Sequence, residues 1–127
     1  DFSPYVEGVA QVVVRDLAGG VGAIAASIRE RFAGRVDPQQ SKGYTLDLVP
    51  TGVSKATGIE AILRATGIGA DEVMACGDSD NDLSMLRLAG TSVVTANGQE
   101  EAKALATYLA PSCDEDGVAR AIEELVL

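Results

Sequence analysis

The chain contains no histidine and no tryptophan. The first absence excludes imidazole from acid–base catalysis and from metal ligation within this chain. Aromatic residues make up only 4% of the 127 positions. A core must therefore be assembled from Val, Leu, Ile and Ala, as in a buried parallel sheet covered by helices. There are two cysteines, Cys76 and Cys113, far apart and in no CxxC pattern, so no thiol metal site is expected. Cys76 reads as a small hydrophobe packed beneath the loop that follows it. Cations are scarce: 10 Lys and Arg face 19 Asp and Glu, a net charge of −9. That balance argues against nucleic acid or an anionic membrane as the main partner, because phosphate backbones need Lys and Arg. A small phosphorylated substrate needs only a local positive site. No signal peptide is visible and no apolar run reaches transmembrane length. A reducing cytoplasm is the expected location. The sequence opens at Asp1 rather than Met, and it is expected to be a piece of something longer.

What is abundant is apolar content, 46%, enough to exclude disorder. Its pattern alternates between strand and helix periods. Val9 to Arg15 is rich in β-branched residues and reads as a strand. Val21, Ile24, Ala25, Ile28 and Phe32 then fall at helical spacing, ending near Gly34. Asp37-Pro38-Gln39-Gln40-Ser41 reads as a polar loop, and Tyr44 to Val49 as a second strand. This first third is expected to be a β-α-β unit. Pro50, Gly52 and Ser54 mark a boundary. Ser54 is a good N-cap for a helix over Lys55–Thr66, with Ile59, Ile62 and Leu63 inward and Gly67 closing it. A strand over Glu72–Cys76, a short helix to Leu88 and a strand over Thr91–Ala96 follow. A helix over Gln99–Ala106, a strand over Tyr108–Ala110 and a last helix with Val118, Ala121, Ile122 and Leu125 inward complete the chain. Such alternation implies a parallel sheet with helical crossovers.

The densest chemistry lies in Cys76-Gly-Asp-Ser-Asp-Asn-Asp-Leu-Ser-Met-Leu86. Asp78, Asp80 and Asp82, with Asn81, lie within five consecutive positions between an apolar strand and a helix. That placement sets the acids at the carboxyl edge of a parallel sheet, where open α/β sheets bind ligands. Clustered oxygen ligands on a tight turn suit a hard cation such as Mg²⁺. Solvated helix capping by Asp, Ser and Asn is the competing explanation. An EF-hand is excluded. Counting from Asp78, its sixth and twelfth positions hold Leu83 and Ala89 instead of Gly and Glu.

Lys55 is the second informative residue. A cation at a helix N-terminus opposes the helix dipole by a few tenths of a kcal/mol. A lysine there beside free backbone N–H groups makes an anion site. A metal, a lysine and a carboxamide around one point would form a phosphoryl-transfer site.

Ser54-Lys55, the Gly77-Asp78-Ser79-Asp80-Asn81-Asp82 run whose Asp78 lies 23 residues after Lys55, Met85-Leu86, Ala89-Gly90, Ala96-Asn97-Gly98, Glu101, Lys103 and Asp114-Glu115-Asp116-Gly117-Val118 together resemble the haloacid dehalogenase superfamily. The nearest branch is the Cof-type phosphatases of subclass IIB. The resemblance is strong over residues 44–127 and one of pattern only over residues 1–43. It implies an α/β fold: the C-terminal half of a Rossmann-like core over 51–127, with helices on both faces of a parallel sheet. Residues 1–50 would be the C-terminal part of an α/β cap, a β-α-β remnant. It further implies that Lys55 binds the transferring phosphoryl group, Asp78 ligates Mg²⁺, and Asn81 hydrogen-bonds the phosphate. Asp82 would hold metal waters or orient Lys55, and Asp80 would be free and exposed. The family's Asp-x-Asp-Gly-Thr nucleophile motif is absent. Asp16, in Val-Val-Val-Arg-Asp-Leu-Ala-Gly-Gly, has only its outline: Ala18 replaces the second acid and Gly20 the Thr. The expected partners are a small phosphorylated substrate and the missing N-terminal half of the same protein. The expected whole is a Mg²⁺-dependent phosphatase acting through an aspartyl-phosphate, with this piece inactive alone. A non-catalytic metal- or phosphate-binding domain and a phosphosugar mutase of the same superfamily are the alternatives.

Overall fold

A computed structural model describes residues 10–127. The chain divides into two compact units, at Val53 and Ser54. In the first, β1 (Val12–Arg15), β2 (Val36–Lys42) and β3 (Thr45–Pro50) form an antiparallel sheet in the order β1-β3-β2. Helix α1 (Val21–Arg31) covers it. Val21 and Ala25 on α1 meet Leu46 on β3, all three buried, with Val14, Ile24, Ile28 and Leu48 around them. Phe32 follows the helix and is 40% exposed. Of the strand expected from Val9, Val9 itself lies outside the described residues.

The unit is therefore not the simple β-α-β expected, nor parallel. The segment Asp37–Ser41, read as a polar loop, is most of strand β2. Its composition misleads because β2 is an edge strand. Edge strands tolerate polar residues and Pro, since one side of the ladder is unpaired and one face is wet. Pro38 sits opposite Leu48 of the central strand.

The second unit follows sequence chemistry closely. Helix α2 (Lys55–Thr66) starts at Ser54, whose hydroxyl accepts the Thr57 N–H while the Thr57 hydroxyl accepts the Ser54 N–H at 3.0 Å. Gly67 ends it at φ 75°, the left-handed conformation that glycine adopts without a Cβ penalty. Strands β4 (Met74–Gly77), β5 (Thr91–Thr95) and β6 (Tyr108–Ala110) form a parallel sheet in sequence order. Helices α3 (Leu83–Leu88), α4 (Glu100–Lys103) and α5 (Gly117–Leu125) complete the unit. Strand alternation sorts the layers. Ala75 and Val94 pack with Leu86 of α3 and Ala102 of α4 on one face. Val93 and Ala110 pack with Ala121 of α5 on the other, beside Met74 and Cys76.

Two packing expectations are corrected. On α5 only Ala121 is buried among the four residues expected inward. Val118, Ile122 and Leu125 are 37%, 38% and 42% exposed. On α2, Ile62 is 60% exposed. In both helices the apolar stripe is wider than the neighbouring described elements can cover. Among the described residues, no helix is long and apolar enough to cross a membrane.

Candidate active site at the carboxyl edge of the parallel sheet

Strands β4, β5 and β6 are parallel, so their carboxyl ends share one edge. The loops after all three strands meet there. After β4 the chain makes a single 3₁₀ turn, Asp80–Asp82, and enters α3. The turn folds the Asp82 carboxylate back beneath its own loop. Asp82 Oδ2 accepts the Asp78 N–H at 2.9 Å, the Ser79 N–H at 3.1 Å and the Ser79 hydroxyl at 3.3 Å. Its other oxygen, Oδ1, accepts from the Lys55 ammonium. The Asp82 side chain is 5% exposed and that of Lys55 47%.

Burial pushes the Asp82 carboxyl up. The Lys55 ammonium and the Asp78 and Ser79 N–H groups outweigh it, and the carboxyl ends below the ordinary carboxylate range. A carboxyl depressed in the folded state adds stability above its unfolded value, near 3.9. That stability is lost as pH falls through the folded value. The contribution of Asp82 to the melting temperature should therefore be full and independent of pH near neutrality, and be lost as the pH drops below about 4. Asp82→Asn should lower stability at pH 7 and flatten that acid limb in a thermal melt series. An acid limb of unchanged steepness in the variant would assign it to other carboxylates.

The remaining residues of the motif are placed differently. Asp78 is exposed, and among the described residues nothing donates to its carboxylate. Asn81 is half-buried, and its Oδ1 accepts the Ser79 hydroxyl at 2.9 Å. Asp80 is exposed. Asp78 lines a cavity of about 310 Å³ with Cys76, Thr95, Asn97, Cys113 and Val118. Lys55, Asn81 and Asp82 are not on its wall. The structure thus brings Lys55 to Asp82 directly, and links Asp78 to that pair through its backbone. A second cavity, of about 280 Å³, lies in the first unit. Its wall is mostly apolar, with Ile28, Phe32 and Leu48, and Arg35 is its one charged residue. It offers no acid–base chemistry.

Sequence reading missed three contributors. Ser79 bridges Asn81 and Asp82. Gln99 holds both Asp78 and Asp80. The Asn97 carboxamide pins the loop after β6, accepting the Cys113 N–H at 2.9 Å and donating to Cys113 Sγ at 3.3 Å. The Asn97-Gly98 turn was a visible signal for the third. Nothing local marks the other two. Burial pushes the Cys76 thiol up, and both cysteines are free. Asp16 is engaged elsewhere: its carboxylate accepts the Ala18 and Gly20 N–H groups, each at 2.9 Å, and closes the turn into α1.

Among the described residues no three carboxylates or thiols are arranged to hold a metal by themselves. The Asp78 carboxylate is nevertheless a hard oxygen donor with no partner among the described residues. Mg²⁺ is commonly held by one or two carboxylates, waters and substrate phosphate. That donor chemistry fits.

A family model described as haloacid dehalogenase-like hydrolase matches residues 2–122. The uracil-derivative phosphatase YitU of Bacillus subtilis, 5-amino-6-(5-phospho-D-ribitylamino)uracil phosphatase, is 31% identical over 120 residues, covering 93% of this chain and 44% of that protein. The chloroplastic endoribonuclease YBEY of Arabidopsis thaliana is 37% identical over 115 residues, covering 90% of this chain and 20% of that protein. A solved sugar phosphatase of haloacid dehalogenase subclass IIB superposes with a TM-score of 0.75 at 30% identity, covering 91% of this chain and 43% of that one. The chain spans less than half of each. With a match over nearly its whole length, and with a parallel sheet flanked by helices that superposes on such an enzyme, the chain belongs to the haloacid dehalogenase-like hydrolases.

Proposed function

We propose that this chain is the C-terminal part of a Mg²⁺-dependent phosphatase of Cof-type, subclass IIB character. It acts on small phosphorylated metabolites through an aspartyl-phosphate. The observation that carries the reading is one juxtaposition. A lysine held by a buried acid, and a carboxylate with no partner among the described residues, belong to the same sheet edge. The first unit is the C-terminal part of the cap and the second the C-terminal half of the core. The two free thiols suit a reducing cytoplasm.

Each residue has a task its contacts support. Asp82 accepts from the Lys55 ammonium and fixes it at the sheet edge. Lys55 keeps a hydrogen-bonding and charge capacity for the transferring phosphoryl group, since about half of its side chain is exposed. Asn81 spends its carbonyl oxygen on Ser79, which leaves its Nδ2 donors to serve a phosphate. Asp78 would hold the Mg²⁺. When bound, the metal neutralises charge on the phosphoryl oxygens and orients the phosphate. The nucleophile and the general acid/base come from the N-terminal half. The match to an endoribonuclease adds no nucleic-acid chemistry to this edge, where Asp78, Asp80 and Asp82 after β4 and Asp114, Glu115 and Asp116 after β6 outnumber Lys55.

The test is complementation. This chain alone should not turn over an aryl phosphate with Mg²⁺. Joined to an N-terminal half that carries the nucleophile motif, it should. Turnover by the chain alone would place the nucleophile among its own acids and overturn the split assignment. No turnover by the joined protein, with folding verified, would favour a non-catalytic binding domain.

A further inference from the structure

Gln99 stands immediately before α4, at the N-cap position. Ser, Thr, Asn and Asp are the residues that cap helices from there, because their short side chains reach back to the first turn. Gln99 makes no such cap bond. Its side chain goes elsewhere, across 19 positions of sequence, where Oε1 accepts the Asp80 N–H at 2.8 Å. Its backbone N–H donates to the Asp78 carbonyl, also at 2.8 Å. One residue therefore grips the acidic loop on both sides of Ser79. The Asp80 N–H opens the 3₁₀ turn and has no partner within it. The approach is close: a Cβ on Gly98 would stand 3.2 Å from the Asp78 carbonyl oxygen and 3.0 Å from that of Thr95.

The loop thus has two independent anchors. Asp82 holds it from below, through the N–H groups of Asp78 and Ser79. Gln99 holds it from the β5 side. The Asp78 side chain projects from the peptide between the anchors and has no partner of its own among the described residues. Its direction is set by its backbone alone.

We propose that Gln99 is a positioning residue: its two-sided grip on Asp78 and Asp80 sets the angle at which the Asp78 carboxylate meets a divalent cation. The metal role of Asp78 rests on the phosphatase reading, whereas the grip does not. Outer-sphere groups that aim a metal ligand are worth about 10- to 100-fold in metal affinity or activity. The grip is solvent-exposed and should sit at the low end of that range.

The test uses Gln99→Met, which keeps length and removes the acceptor, and Gln99→Glu, which restores an acceptor oxygen. In this chain without metal, the Asp80 amide should exchange with solvent faster in Gln99→Met and near the parent rate in Gln99→Glu. In the protein joined to its N-terminal half, Gln99→Met should raise the Mg²⁺ concentration for half-activation roughly 10-fold. Its kcat at saturating Mg²⁺ should be retained, and Gln99→Glu should recover the parent Mg²⁺ dependence. Unchanged amide exchange in Gln99→Met overturns the grip. Faster exchange with an unmoved Mg²⁺ dependence, where Asp78→Ala strongly lowers kcat, overturns the positioning role. If Asp78→Ala is fully active, the phosphatase reading falls instead, and the exchange rates alone decide the grip.

Discussion

Asp78→Ala, in the chain joined to its N-terminal half, should lower kcat by roughly 10²- to 10³-fold, about 3–4 kcal/mol of transition-state stabilisation. Asp80→Ala should stay within about twofold, since isolated exposed substitutions usually fall within ±0.5 kcal/mol. The two acids are two positions apart on one turn, and both are exposed. A generic acidic cap would make them interchangeable. Both backbones are held: the Asp78 N–H and carbonyl by Asp82 and Gln99, the Asp80 N–H by Gln99 and its carbonyl by the Leu83 N–H. They differ in place: Asp78 follows the end of β4 and lines the cavity of about 310 Å³, and Asp80 does not. Lys55→Ala should also act on kcat more than on KM, because its charge matters most as negative charge rearranges on the phosphoryl oxygens. It carries a second consequence that Asp78→Ala lacks. It leaves the Asp82 carboxylate, 5% exposed, with only neutral N–H and O–H donors. Lys55→Ala should therefore lower the melting temperature, whereas Asp78→Ala should not. Steady-state kinetics and thermal melts of the three variants decide. Equal activity of Asp78→Ala and Asp80→Ala would remove the metal-ligand assignment.

The parts of the molecule legible in the sequence are those whose cause is local. Ser54 and Gly67 bracket α2 because capping and the left-handed stop act within a turn of the chain. The strand–acidic turn–helix run from Met74 to Leu88 is legible for the same reason. The Lys55–Asp82 pair spans 27 positions, and only the combination of motifs made it expected. Where the cause is non-local, reading failed. Strand β2 exists because β3 offers it a ladder, and nothing in Asp37-Pro38-Gln39-Gln40 signals that partner. Val118, Ile122 and Leu125 have helical spacing, but spacing states a face and not whether anything covers it. Gln99 reads as an unremarkable polar residue after a turn. Its two bonds depend on β4 and β5 being neighbours, with parallel ends in register.

Gly77 is where local sequence and long-range geometry meet, and it gives the sharpest stability test. It ends β4 and begins the acidic turn. Its φ is not in the left-handed region, so backbone freedom is not why glycine stands there. The reason is contact. A Cβ on Gly77 would lie 2.6 Å from the Asp82 Cβ and 2.8 Å from its Cγ. Neither atom is the free end of a flexible side chain, and the carboxylate beyond them is tied at both oxygens. Gly77→Ala must push Asp82 out of its seat or bend the end of β4. Overpacking of this kind costs about 1–3 kcal/mol, and here it also loosens the Lys55 ion pair. Gly58→Ala is the matched control. Gly58 lies inside α2 with nothing within 4 Å of its added Cβ. There the same substitution should stabilise by about 0.5–1 kcal/mol, through helix propensity alone. Opposite signs from one chemical change, read in parallel thermal melts, are the expected result. Gly77→Ala should also reduce turnover of the joined protein, and Gly58→Ala should not. A Gly77→Ala protein as stable as its parent would show that the Asp82 seat gives way without cost, and that the rigid acidic loop on which the site geometry depends is not rigid.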